Sequence, residues 1–276
     1  DAVVVLGTLC ETPLVLPDNA SYTCPPGSVA AATYDLSEDS WLVHQLPTAL
    51  AASVDAFIQG IGVTTDGRAV FSVDRQRLWA VDASGSWEAL APLPTEATGR
   101  RASPMCMAGD TVVALTKVTD RRQLRVYLLP LGVPGASWTA SAAAVASDVH
   151  LELMGELACG DDFVVIDGAA YDPPQRHPTD PAAGDEAWST LPPAPFDLTL
   201  VVPVWTGDDL IYLADPFGDS PGTGAAYDPA DDRWRTVAVD PVPSSLLMIA
   251  GTLDRPAVLG WPQPTSTEPF YSEIRD

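Results

Sequence analysis

The chain has 276 residues, with 37 acidic against 14 basic side chains and a net charge of −23. A body of this size buries roughly 70–75% of its unfolded surface, and its charge excludes nucleic acid and anionic lipid surfaces, which need a basic footprint. No apolar run reaches about 18 residues, so no segment reads as a membrane span. Lys117 is the only lysine against thirteen arginines, and the Ala/Val/Pro-rich composition is that of a GC-rich bacterial genome.

From the N-terminus, Ala2 to Leu6 reads as a strand, followed by a Pro-rich excursion that holds Cys10 and Cys24. Tyr34-Asp35 ends a strand and Trp41-Leu42-Val43 opens another. The same order then recurs. Asp66-Gly67, Gly109-Asp110, Gly160-Asp161-Asp162 and Gly207-Asp208-Asp209 are turns between first and second strands. Third strands end at Val81-Asp82, near Tyr127, at Tyr171-Asp172 and at Tyr227-Asp228, and unit four carries an insertion from Pro173 to Glu186. Trp41, Trp87, Trp138, Trp188 and Trp234 open the fourth strands, 46, 51, 50 and 46 residues apart. Leu246 to Ala250, Pro256 to Gly260 and Phe270 to Ile274 are three further strands with no Trp-led fourth.

Self-similarity at this period marks an all-β fold, a β-propeller with one four-stranded blade per repeat. The chain divides as a single propeller of six blades, at about 1–47, 48–94, 95–145, 146–194, 195–242 and 243–276. The last blade is either short or closed by the N-terminal strand, which would remove an open edge.

The segment Tyr227-Asp228-Pro229-Ala230-Asp231-Asp232-Arg233-Trp234 resembles the third-to-fourth-strand signature of Kelch-repeat propellers, and Tyr34-Asp35 with Trp41 repeats its spacing. The family's paired glycines after the second strand are replaced by Ser72-Val73-Asp74, Lys117-Val118-Thr119 and Leu213-Ala214-Asp215, which makes the likeness a divergent one. Such propellers include binding scaffolds and enzymes, so the resemblance implies a fold and no single activity.

In a propeller the long connections gather on one face, over the mouth of the central channel. Asp55, Arg100, Arg101, His150, Glu152 and Asp197 open first strands and are the candidate ligand-binding residues there. Carboxylates, guanidiniums and an imidazole together suit a sugar, a small polar metabolite or Ca²⁺; equally, they form a hydrated ring of mutual ion pairs. His150 is the candidate for acid–base work. Phe217 and Trp261, outside the repeat, are the aromatic residues placed for stacking, whereas the recurrent tryptophans read as packing. His44 reads as an outer-edge residue and His177 as part of the insertion. No nucleophile elbow, metalloprotease helix, phosphate loop or dinucleotide fingerprint occurs, so no catalytic residue is assigned. Three scattered histidines and unpaired cysteine spacings give no metal site and no cofactor.

Four cysteines at 10, 24, 106 and 159 fit disulfides in an exported protein, and the start at Asp1-Ala2-Val3 is that expected after signal-peptide removal. Cys10–Cys24 is the expected bridge. Cys106 and Cys159 align at equivalent first-strand positions and either pair with one another or leave one to pair with Cys10. The functional expectation is a secreted propeller that binds a protein or glycan, or serves as a subunit of an extracellular assembly. The alternative is a carbohydrate-active or lyase/epimerase-type enzyme with its polar site at the channel mouth.

Overall fold

The computed structural model describes residues 2–8, 14–15, 22–23, 29–35, 40–51, 58–73, 77–94, 104–118, 123–146, 157–166, 174–195, 203–213, 223–240, 245–252, 255–261 and 270–275. The described elements are almost all strands. The helical ones are a single turn, α1 (Thr48–Ala51), and a 3₁₀ turn at Asp185–Ala187.

The first five strands are β1 (Ala2–Thr8), β2 (Leu14–Val15), β3 (Tyr22–Thr23), β4 (Val29–Asp35) and β5 (Ser40–His44). β1, β4 and β5 form one antiparallel sheet with Tyr34 opposite Trp41, and β2 pairs with β3 in a ladder of their own. Three four-stranded antiparallel meanders follow. The first is β6 (Ile58–Val63), β7 (Ala69–Val73), β8 (Arg77–Val81) and β9 (Trp87–Ala89). The second is β10 (Met105–Ala108), β11 (Thr111–Val118), β12 (Gln123–Pro130) and β13 (Thr139–Ala146). The third is β14 (Leu157–Cys159), β15 (Phe163–Ile166), β16 (Gln175–Pro178) and β17 (Ser189–Thr190). A seven-stranded sheet ends the chain. It is built from β18 (Pro203–Trp205), β19 (Leu210–Leu213), β20 (Thr223–Asp228), β21 (Arg233–Asp240), β22 (Ser245–Thr252), β23 (Arg255–Trp261) and β24 (Phe270–Arg275). Its spatial order is β18-β19-β20-β21-β24-β23-β22.

Two expectations are corrected. The N-terminal strand pairs with β4 inside the first sheet, while the last three strands attach to the fifth unit through β21 and β24, with Val239 opposite Ile274. Among the described strands, the last three therefore continue the sheet of the fifth unit, and β1 pairs with β4. In unit four, the supposed insertion contains the third strand itself: Val164 faces His177 across the ladder and Arg176 faces Ser189. The chain holds Asp-Pro twice in this unit, at 172–173 and 180–181. The tyrosine before the first pair drew the match, but the turn into Trp188 begins at Asp180, whose Oδ1 accepts the Ala182 N–H at 2.8 Å.

The burial pattern follows strand position. The second strands β7 and β15 are buried at every residue, so they read as continuous apolar runs, whereas the outer strand β9 has only its Trp half-buried. The chain falls into two compact units: Asp1–Ser103 with Leu129–Trp138, and Pro104–Leu128 with Thr139–Asp276. In the first, Ala69, Phe71 and Val81 pack with Trp87. In the second, Val113, Leu115, Val126 and Leu128 pack on Leu157, Val164 and Ile166 with Trp188 beside them. A further cluster there joins Phe163, Val165, Leu210, Tyr212, Ala226 and Tyr227, with Trp205 and Trp234 at its margin.

Candidate functional site

The two ends of the meanders differ in kind. At one end, first and second strands are joined by 64–68, 109–110, 160–162 and 206–209, which are two to five residues long. At the other, the fourth strands of the first four units lead to the next first strand through 45–57, 90–104, 147–156 or 191–202, ten to fifteen residues each, while β21 leads to β22 through only 241–244. In an up-and-down sheet these two sets must lie at opposite ends.

The short turns hold themselves together. The Thr64 hydroxyl donates to the Asp66 carboxylate and accepts the Arg68 N–H, and Arg68 Nε reaches Asp66 at 3.0 Å while Nη1 reaches Glu88 at 2.7 Å. The Thr64 hydroxyl first, and Arg68 second, hold the Asp66 carboxyl below its ordinary 3.8. Thr206 repeats the device, accepting the Asp209 N–H at 3.1 Å, and Asp209 binds Arg235 at 2.6 Å. Asp161 accepts the Trp205 Nε1–H at 2.8 Å, and the Trp205 ring meets Phe163 edge-on at 5.3 Å. These carboxylates are engaged in closing turns.

The turns between third and fourth strands explain the Tyr-to-Trp spacing. Asp228 Oδ1 accepts the N–H groups of Ala230 and Asp231, Asp232 takes φ 51°, and the Tyr227 hydroxyl donates to Asp232 at 2.6 Å. Burial first, and the Asp232 carboxylate second, push the Tyr227 hydroxyl up to about 12. Tyr227 and Tyr212 both pack on Trp234, with centroids at 5.1 and 5.6 Å. Asp82 performs the same role in the earlier unit, accepting from Ser84 N–H, Ser84 Oγ–H and Ser86 N–H. The Ser84 hydroxyl is foremost in keeping the Asp82 carboxyl below its usual value.

The repeat tryptophans do more than pack. Trp138 Nε1 donates to the Ala91 carbonyl at 3.0 Å and Trp234 Nε1 to the Pro192 carbonyl at 2.8 Å, each acceptor lying four residues beyond the preceding repeat Trp. Ladder alternation explains the choice of acceptor. Leu90 N–H bonds the Leu78 carbonyl inside the sheet, so Ala91 turns its carbonyl outward; Leu191 and Pro192 stand in the same relation to Pro174. Each indole thus covers an outer-edge carbonyl of the preceding unit. Trp87 Nε1 and Trp188 Nε1 are buried with no such acceptor.

Beside Trp138 lies a half-open groove of about 420 Å³. One wall is the outer edge of the β9 segment, Glu88 to Ala91, and the other is the Leu129–Ala136 stretch. The second wall is stiffened by an Ala136 N–H to Val133 carbonyl bond and by Gly135 at φ 72°.

Of the residues expected to form the site, Asp55, Arg100, Arg101, His150, Glu152, Asp197 and Phe217 lie outside the described residues, as do Cys10 and Cys24. Trp261 is the last residue of β23, opposite Ser245. His44 lies on β5, the edge strand of the first sheet, and is buried, with Gly85 directly against its ring. His177 is fully buried on β16, its Nδ1 on the Pro178 carbonyl and its ring 4.6 Å from that of Trp188. Cys106 and Cys159 are joined, with Cα atoms 5.7 Å apart. That bond rules out the alternative pairing of either with Cys10. Among the described residues, no three His, Cys, Asp or Glu side chains converge as metal ligands.

These four-stranded meanders and their repeat define an all-β protein of the β-propeller class. No family model matches the chain, and no curated protein sequence matches it. Among solved structures, it is similar to an oligogalacturonate lyase in complex with manganese, at 10% identity over 90% of this chain and 82% of that one, with a TM-score of 0.52. A protein from Lactobacillus plantarum matches at 12% identity over 99% of this chain and 81% of its own, with a TM-score of 0.53. YCF48 bound to D1 peptide superposes more loosely, with a TM-score of 0.46 and 14% identity over 92% and 73% of the two chains. No helix among the described residues is long and apolar enough to cross a membrane.

Proposed function

We propose that this chain is an exported, Kelch-like bacterial β-propeller that binds a protein or glycan through the face bearing its long connections. The observation carrying the reading is the asymmetry between the two ends of the meanders. One end is spent on two- to five-residue turns; the other carries ten to fifteen residues in each of four connections, which is where binding residues gather on a rigid scaffold. The Cys106–Cys159 disulfide supports an oxidising compartment. The Tyr227–Asp232 bond and the Tyr227–Trp234 packing support the Kelch-like reading of the repeat. Asp55, Arg100, Arg101, His150, Glu152, Asp197, Phe217 and Trp261 are the residues this reading assigns to the ligand. Glycan and secreted-protein arrays test it: a hit must be lost when connections 90–104 and 191–202 are shortened at unchanged Tm. A hit that survives the shortening contradicts it.

The second reading is a carbohydrate-active or lyase/epimerase-type enzyme, with Asp55, Arg101, His150, Glu152 and Asp197 around the channel mouth. A lyase stands among the solved structures of this fold, and its substrate class supplies the assay. Incubation with oligogalacturonate, with and without manganese, followed by ultraviolet absorbance of the unsaturated product, decides between the readings.

A further inference from the structure

The groove beside Trp138 has three properties that together define an occupant. The first is an open backbone edge. β9 is the outermost strand of its sheet, Trp79 faces Ala89, and Leu90 N–H bonds inward to Leu78. Alternation in an antiparallel ladder therefore turns both the N–H and the C=O of Ala89 outward, into the groove. The neighbouring outward carbonyl, that of Ala91, is already capped by Trp138, whereas Ala89 has no partner among the described residues. The second is shape. The walls are small or apolar, with Ala89, Ala91, Gly132 and Ala136 leaving room for a chain and Val133 standing 58% exposed at the rim. A volume of about 420 Å³ lies within the range of peptide and small-ligand sites.

The third is charge. Among the described residues, Glu88 is the only charged one lining the groove. It shares Arg68 with Asp66, so two largely exposed carboxylates face one guanidinium and this end of the groove stays negative. The chain as a whole carries −23, which opposes a second copy of itself as occupant.

We propose that this groove receives an extended, basic peptide segment of another protein, which adds to the β9 edge as a fifth strand. Main-chain bonds to Ala89 supply the anchoring, as in other strand-addition complexes. Glu88 selects a Lys or Arg on the incoming segment, and Val133 covers an apolar neighbour. The groove meets the connection 90–104 at Leu90 and Ala91, but Glu88 and Ala89 belong to β9 and lie outside the long connections, so either surface can fail without the other.

The test uses the full chain and a fluorescein-labelled octapeptide of alternating Val and Arg, read by fluorescence anisotropy. Controls are the same peptide N-methylated at alternate residues and a Val/Glu octapeptide. Ala89→Pro removes a donor that β8 does not use, at an edge position where proline is tolerated; Glu88→Gln removes only charge. The expected result is saturable binding of the Val/Arg peptide, weakened at least tenfold by Ala89→Pro and by N-methylation, and about two- to fivefold by Glu88→Gln. The Val/Glu peptide should not bind. Binding that ignores both Ala89→Pro and N-methylation would place the peptide elsewhere on an acidic surface and overturn the proposal. So would the absence of any binding to the wild-type chain, or equal binding of the Val/Glu peptide.

Discussion

Replacing the repeat tryptophans one at a time with phenylalanine separates hydrogen bonding from packing, because the structure supplies its own controls. Trp234 and Trp138 each donate to an outward-facing carbonyl, at 2.8 and 3.0 Å, whereas Trp87 and Trp188 are buried with no acceptor among the described residues. All four substitutions shrink a partly buried ring by a similar amount, so the packing loss is shared. At Trp234 and Trp138 the change also removes a hydrogen bond worth about 0.5–1.5 kcal/mol and leaves a carbonyl without its partner, a further cost of about 1 kcal/mol. At Trp87 and Trp188 it removes a donor whose desolvation was never compensated, which offsets part of the packing loss. The expected difference is about 2 kcal/mol between the two pairs. Urea unfolding at fixed m-value gives the free energies directly, and calorimetry should show a gap of roughly 4–8 °C in Tm. Four equal losses would refute the assignment of Trp138 and Trp234 as caps on the preceding unit's edge.

Other consequences follow from individual contacts. Gly85→Ala should destabilise by about 2 kcal/mol or more, because Gly85 has φ 83° and an added Cβ would lie 2.1 Å from His44 Nδ1. Gly67→Ala, at the same φ but in open space, should cost only about 1 kcal/mol by chemical denaturation. Tyr227 titrates in the folded chain at about 12 against an ordinary 10, so its contribution is whole below pH 10 and is lost as pH rises from 10 to 12. Alkaline unfolding curves should be flatter across that window in Tyr227→Phe. Reducing Cys106–Cys159, which spans 53 residues, or replacing both by Ser, should lower stability by up to about 4 kcal/mol in the chain-entropy model, measured as a fall in Tm with dithiothreitol.

The repeat was readable because several units reuse the same residues for the same two tasks. Trp138 and Trp234 cover the edge of the preceding fourth strand, and Asp82, Asp180 and Asp228 gather loose N–H groups in the hairpin before the fourth strand. Where a unit used that chemistry twice over, the reading slipped. Asp172-Pro173 and Asp180-Pro181 look alike locally, and only the pairing of β16 with β15 shows which of them is the turn. The Cys106–Cys159 pair was readable only as one of several alternatives, since a bridge depends on distance between strands 53 residues apart. The rim groove left no trace in the sequence. Its polar groups are the backbone N–H and C=O of Ala89, its walls are small or apolar residues, and its two sides are some forty residues apart. The polar residues of the proposed ligand-binding face stand out in the sequence by side-chain chemistry and repeat position.

The account turns on which end of the meanders meets the ligand, and hydrogen exchange on the full chain with and without an array-selected ligand measures this directly. Protection should concentrate in 45–57, 90–104 and 191–202, with the turns at 64–68, 109–110, 160–162 and 206–209 unchanged. Protection confined to those short turns would contradict the proposed binding face.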